Sequence, residues 1–165
     1  MIKFLKENVY ASYVLTLVRL YLGYEWIQAG WHKLTSAEPF NAQGFLMGAV
    51  KKATGDHPVV QSWWANFLDA FAIPNVGLFN FLVPYGEFLV GLGLILGALT
   101  TAAAFFGILM NYAFMFSGST STNVQMSLLT IFILVAGFNA GKIGLDRWII
   151  PYIKKAVKKD ATLEA

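Results

Sequence analysis

Four apolar runs near membrane length, residues 9–31, 76–98, 100–116 and 124–140, set the narrowest limit on what this chain can fold into. Inside hydrocarbon every backbone polar group must be satisfied internally, and a helix of about 20 apolar residues does so across the bilayer core. Composition agrees: 57% of the 165 residues are hydrophobic and 13% charged, against about 25% charged in a soluble domain. The expected fold is all-α, a single polytopic membrane domain built as a four-transmembrane-helix bundle. Leu99, Thr100 and Thr101 are too few to cross anything, so the second and third spans form a tight helical hairpin.

Charge then orients the bundle. The surplus of +3 comes from the chain ends, with Lys3 and Lys6 before the first span and Lys142, Arg147, Lys154, Lys155, Lys158 and Lys159 after the last. An even number of spans puts both ends on one side, and the positive-inside rule makes that side cytoplasmic. The expected location is therefore the cell membrane, multi-pass, with both termini cytoplasmic. Lys3 and Lys6 resemble a secretory signal's charged region, but Arg19 interrupts the apolar run and no small-residue cleavage site follows, so the first span reads as a retained anchor. The basic tail, 142–165, has a stretch at 145–157 that alternates apolar residues with lysines and suits an interfacial helix on anionic lipid. Nucleic acid is not an expected partner, because the cations form no basic face.

The connection between spans one and two is then extracellular, and its outer segment, 36–73, is too long for a structureless loop. Residues 40–52 and 58–73 read as two extra helices capping the bundle. The second carries Val59, Val60, Trp63, Trp64, Phe67, Leu68 and Phe71 at helical spacing, with tryptophans suited to the headgroup zone.

Arg19 and Glu87 lie near the midpoints of their runs, where a charge costs about 2.5–3.5 kcal/mol on insertion scales. Equal depth in antiparallel spans makes an Arg19 to Glu87 ion pair the economical expectation. Such a pair would pin the register of the two spans or release one partner to a ligand or proton. On span one, Tyr21, Glu25, Gln28 and His32 share a helical face rising from mid-membrane. Asn80 and Pro84 on span two, Asn111 and Tyr112 on span three, and Asn123, Gln125, Ser127 and Thr130 on span four lie in the outer halves. For any one of these, interhelical hydrogen bonding is the plainer role. Their one-sided clustering favours a polar cavity open to the outside.

The absence of cysteine removes disulfides, iron-sulfur clusters, covalent haem and thiolate nucleophiles. His32 and His57 are the two imidazoles, one at a span end and one in the connection, which disfavours haem held between spans. His32, Glu25 and Gln28 share a face that suits a metal only weakly, and no metal site is assigned.

The stretch Arg19-Leu-Tyr-Leu-Gly23, followed by Ala29-Gly30 and Lys33-Leu34, resembles the first block of the DoxX family. Gly86-Glu87 with Gly91, Gly93 and Gly97 is similar to its second block. Residue by residue the pattern carries over to Arg19, Gly23, Gly30, Lys33, Glu87 and Gly91. Glu25 departs from the aromatic or apolar residue usual there, and the long tryptophan-bearing outer segment points to a subgroup nearer the DoxD type. The resemblance implies a four-helix membrane protein whose relatives include the DoxD subunit of thiosulfate:quinone oxidoreductase.

The expected function is a membrane subunit of a quinone-linked oxidoreductase. The catalytic candidates are Arg19, Glu87 and Glu25. The residues expected to line a quinone cavity are Gln28, His32, Trp26, Asn80, Tyr85, Asn111, Tyr112 and Asn123, with Trp31 a further ring-stacking candidate. The bilayer is the expected surrounding; a soluble or membrane redox partner subunit and a homo-oligomer remain open. The alternative is a non-catalytic membrane scaffold or small-solute carrier serving a soluble redox protein.

Overall fold

A computed structural model describes residues 1–163, with side chains as far as Val157. Among the described residues the chain is all helical: α1 (Ile2–Glu7), α2 (Val9–Thr35), α3 (Gln43–Lys51), α4 (Ser62–Phe67), α5 (Val76–Leu96), α6 (Thr100–Phe116), α7 (Asn123–Ala136), α8 (Phe138–Gly141) and α9 (Asp146–Leu163). One helix, Val76–Leu96, is long and apolar enough to cross a membrane, and Thr100–Phe116 and Asn123–Ala136 are shorter apolar helices. α2 has the length, about 40 Å at about 1.5 Å per residue, but carries Arg19, Glu25 and Lys33.

The elements differ from the sequence expectation where local backbone chemistry intervenes. α2 starts where expected, capped by the Asn8 side chain, which accepts from Tyr10 N and Ala11 N, but it runs on to Thr35. A separate α1 precedes it. The last apolar run is not one helix. Gly137, at φ 57 and ψ −125, breaks it into α7 and α8 in a conformation open to glycine. The second cap helix begins at Ser62 rather than at Pro58 and continues from α4 as a π-helical turn, Leu68–Ala72. Residues 164 and 165 of the basic tail, and the side chains of Lys158 and Lys159, lie outside the described residues.

α2, α5, α6 and α7 pack as a bundle around Leu15, Leu22, Trp26, Val90, Leu94, Ala104, Met126 and Ile133. α3, α4 and the π turn form a cap with its own small core of Ala42, Leu46, Ala49, Leu68 and Ala72, seated on Val76 and Phe79 of α5. Asn80 joins the two parts by accepting from the Ala42 backbone N–H at 2.8 Å.

Glycine sets the register of α2 on α5. A Cβ on Gly91 would lie 2.5 Å from Ile27 N, and one on Gly30 would lie 2.5 Å from Phe88 N. Both obstacles are backbone, so the helices have to separate to admit a methyl group. Gly91→Ala is expected to destabilise the protein by about 1–3 kcal/mol, as core overpacking does. Gly48→Ala on α3, where nothing lies within 4 Å, is expected to gain about 0.5–1 kcal/mol from helix propensity. Denaturation in detergent compares the two.

Candidate functional site

The ion pair expected between Arg19 and Glu87 does not form. With Gly23 against Gly91 and Gly30 against Pro84 and Phe88, Arg19 stands opposite Gly97 rather than Glu87. Those positions are ten residues apart along α5 and its C-cap, about 15 Å at about 1.5 Å per residue. The midpoint argument fails because the first turns of α2 extend past the end of α5, where Ala11 and Leu15 pack with Ala136 and Ala140. Equal position within an apolar run is therefore not equal depth.

Arg19 is 2% exposed and finds its partners at that far end. Its Nη2 donates to Ile143 O at 2.7 Å and Nη1 to Ala140 O at 3.4 Å. Gly97, at φ 61, and Gly144 leave the room that the guanidinium fills. Beside it Asp146 accepts from Leu99 N at 2.7 Å and Thr100 N at 2.8 Å, satisfying the first donors of α6. Leu145 N and Asp146 N donate to Leu96 O and Gly97 O. This knot ties the segment after α7 to α2 and to the α5–α6 turn.

Glu87 is also 2% exposed and pairs with Lys33, Nζ to Oε2 at 2.6 Å. Side chains on a helix lean toward its N-terminus, and the lysine does so, its Nζ also reaching Ala29 O at 3.4 Å. The lysine stem thus carries a cation from the last turns of α2 back to the carboxylate.

The pair forms part of the wall of a cavity of about 430 Å³ between the cap and the bundle, within the range of small-molecule sites. Its lining is largely apolar and aromatic. Trp26, Phe40, Phe45, Trp64, Phe67, Phe79 and Phe114 supply rings, Met126 and Val83 close gaps, and Glu25, Ser117, Thr122 and Asn123 add polar groups. Trp64 donates to Ser117 Oγ at 2.9 Å, tying the cap to the end of α6.

Of the residues singled out from the sequence, Glu87, Glu25, Trp26 and Asn123 meet in this cavity. Arg19 lies in the knot at the other end. Gln28, His32, Tyr85 and Tyr112 are exposed on the outside of the bundle, as is Trp31. Tyr85 and Tyr112 pack against Phe81 and Phe116. Asn80 caps α3. Asn111 is fully buried, and neither its Oδ1 nor its Nδ2 has a partner. It sits one turn from Phe114 in the cavity wall and one turn from Gly107, where a Cβ would lie 3.3 Å from Trp26 Nε1. That indole N–H is itself buried and unpartnered.

Lys33, named in the sequence only for its match to the family pattern, is the site residue whose role was missed. Its signal was present: it is a cation near the end of a helix whose neighbour buries a carboxylate, with glycines at Gly23, Gly30 and Gly91 marking the register. The cap aromatics were legible as an apolar face, but not as the roof of a cavity.

A family model described as DoxX matches residues 14–119. No curated protein and no solved structure matches the chain.

Proposed function

The chain belongs to the DoxX family, a family of membrane proteins, and from that premise we propose that it is a membrane subunit that binds a quinone in the cavity beneath its cap. α2, α5, α6 and α7 are the four spans in this reading, with the cap outside and both termini at the cytoplasmic face, as the distribution of lysine and arginine favours.

The observation that carries the reading is the pair of half-buried Lys33 and buried Glu87 in the wall of an otherwise aromatic cavity. Apolar ring walls with few polar groups are what a flat, neutral, carbonyl-bearing ring requires. The residues fit such a molecule. Lys33 Nζ is a charged donor for a carbonyl oxygen, and Glu87 Oε2, already in contact with that ammonium, holds or passes a proton beside it. Trp26 and the cap rings orient the plane and exclude water. The quinone supplies the redox chemistry; the protein supplies position and charge.

The test is purification in mild detergent, organic extraction and mass spectrometry for quinone, after an absorbance scan for haem. Recovered quinone that disappears in Glu87→Gln and in Lys33→Met is the expected result. Repeated recovery of neither cofactor, with no stabilisation by added quinone, would put the scaffold or carrier reading ahead.

Asn111 bears on stability alone. A buried amide with no partner carries a desolvation penalty of roughly 1–3 kcal/mol. Asn111→Leu is expected to raise stability by about 1 kcal/mol, because neither amide atom has a partner to lose. Thermal melts against the parent protein read the effect.

A further inference from the structure

A second cleft lies at the opposite end of the bundle, remote from the proposed quinone cavity. It has a volume of about 350 Å³ and is lined by Val9, Ser12 and Tyr13 at the start of α2 and by Phe138, Lys142, Ile143 and Arg147 around the α8–α9 link. Among the described residues its lining holds two cations and no carboxylate. The adjacent Asp146 is 3% exposed, accepts from the first N–H groups of α6 and forms no ion pair with either cation. Among the described residues neither Lys142 nor Arg147 makes an ion pair.

The cleft's apolar members, Val9, Tyr13, Phe138 and Ile143, are all more than a third exposed. Apolar surface left open beside unpaired cations suits a molecule with an anionic head and a hydrocarbon tail. Tyr10, Tyr13, Trp148 and Tyr152 are exposed around the same end, the arrangement of an aromatic belt at a membrane surface.

We propose that this cleft binds one anionic phospholipid, its phosphodiester held by Lys142 and Arg147 and an acyl chain lying over Tyr13, Phe138 and Ile143. The site is coupled to the Arg19 knot through a single residue. Ile143 presents its side chain to the cleft and its carbonyl to Arg19 Nη2 at 2.7 Å. A lipid that holds Ile143 in place therefore stabilises the fastening of α8 and α9.

The experiment uses the full chain, delipidated in detergent. Phosphatidylglycerol, phosphatidylcholine, glycerol phosphate and inorganic phosphate are compared by thermal shift, with native mass spectrometry for retained lipid. Phosphatidylglycerol is expected to bind one to one and raise the melting temperature, with the other three weaker by at least tenfold. The double variant Lys142→Gln, Arg147→Gln, both positions being exposed, is expected to lose that affinity at least tenfold. Lys154→Gln, Lys155→Gln on α9 is expected to retain it. Equal protection by phosphatidylcholine, equal protection by inorganic phosphate, or equal loss in the α9 variant would each overturn the proposal. The three outcomes would indicate a generic lipid groove, a free-anion site or diffuse surface attraction, respectively.

Discussion

Arg19→Met is expected to destabilise the protein by about 3–5 kcal/mol, the range seen when one member of a buried charged network is removed. Two carbonyls, Ala140 O and Ile143 O, lose their donor together, and Asp146 loses the cation beside it while it remains bound to Leu99 N and Thr100 N. The local consequence is as specific as the global one: the α8–α9 link has less to hold it against α2. Trypsin cleavage at Lys142 and Arg147 is expected to accelerate ahead of global unfolding, read by mass spectrometry over a time course. Arg19→Lys is expected to recover only part of the loss, because an ammonium carries its donors on one atom and does not match the spread of the guanidinium fork. Cleavage at these positions unchanged by Arg19→Met would show that the knot holds nothing.

Glu87→Gln is expected to have the second large effect, about 2–3 kcal/mol, below the ~3–5 kcal/mol of a fully buried pair. The discount follows from the lysine side: the Lys33 side chain is 26% exposed where the Glu87 side chain is 3%, so its ammonium regains some solvent on losing its partner. The double replacement Lys33→Met, Glu87→Leu discriminates stability from function. Removing both charges together is expected to return most of the lost stability, since an apolar pair avoids the desolvation cost. Quinone retention is expected to stay lost. Denaturation curves and the extraction assay on Lys33→Met, Glu87→Leu and the double variant form one cycle. Recovery of quinone binding in the double variant would remove the pair from the site.

The two predictions concern residues that look alike in the sequence: each is a lone charge inside an apolar run. Their environments are opposite ends of the bundle. Arg19 is met by backbone carbonyls of residues 140 and 143, more than 100 positions away and outside the stretch matched by the family model. No local pattern indicates that carbonyls, rather than a carboxylate, await a buried guanidinium. Glu87 is met by Lys33, and that partnership follows from register, which the glycines at 23, 30 and 91 set through backbone contact.

Much of the cavity was legible only as fragments. Trp64, Phe67 and Leu68 were readable as one face of a cap helix, and they do line the cavity. Gln28 and His32 share a face of α2 with Glu25 by spacing, yet that face turns outward within two turns, leaving Glu25 at the cavity and the other two exposed. Angular position on one helix says nothing about which neighbour, or none, covers it.

Helix identity and the tight turn between the second and third apolar runs were readable from the chain alone, because apolar run length is a local property that each segment carries with it. The break at Gly137 is local too, a backbone conformation open to glycine that run length does not reveal. The pairing of charges and the separation of one expected polar chamber into an aromatic cavity and a distant Arg19 knot were settled by packing. Those outcomes depend on how far one helix slides along another, and it is contact between glycine backbones, not the charges themselves, that sets the distance.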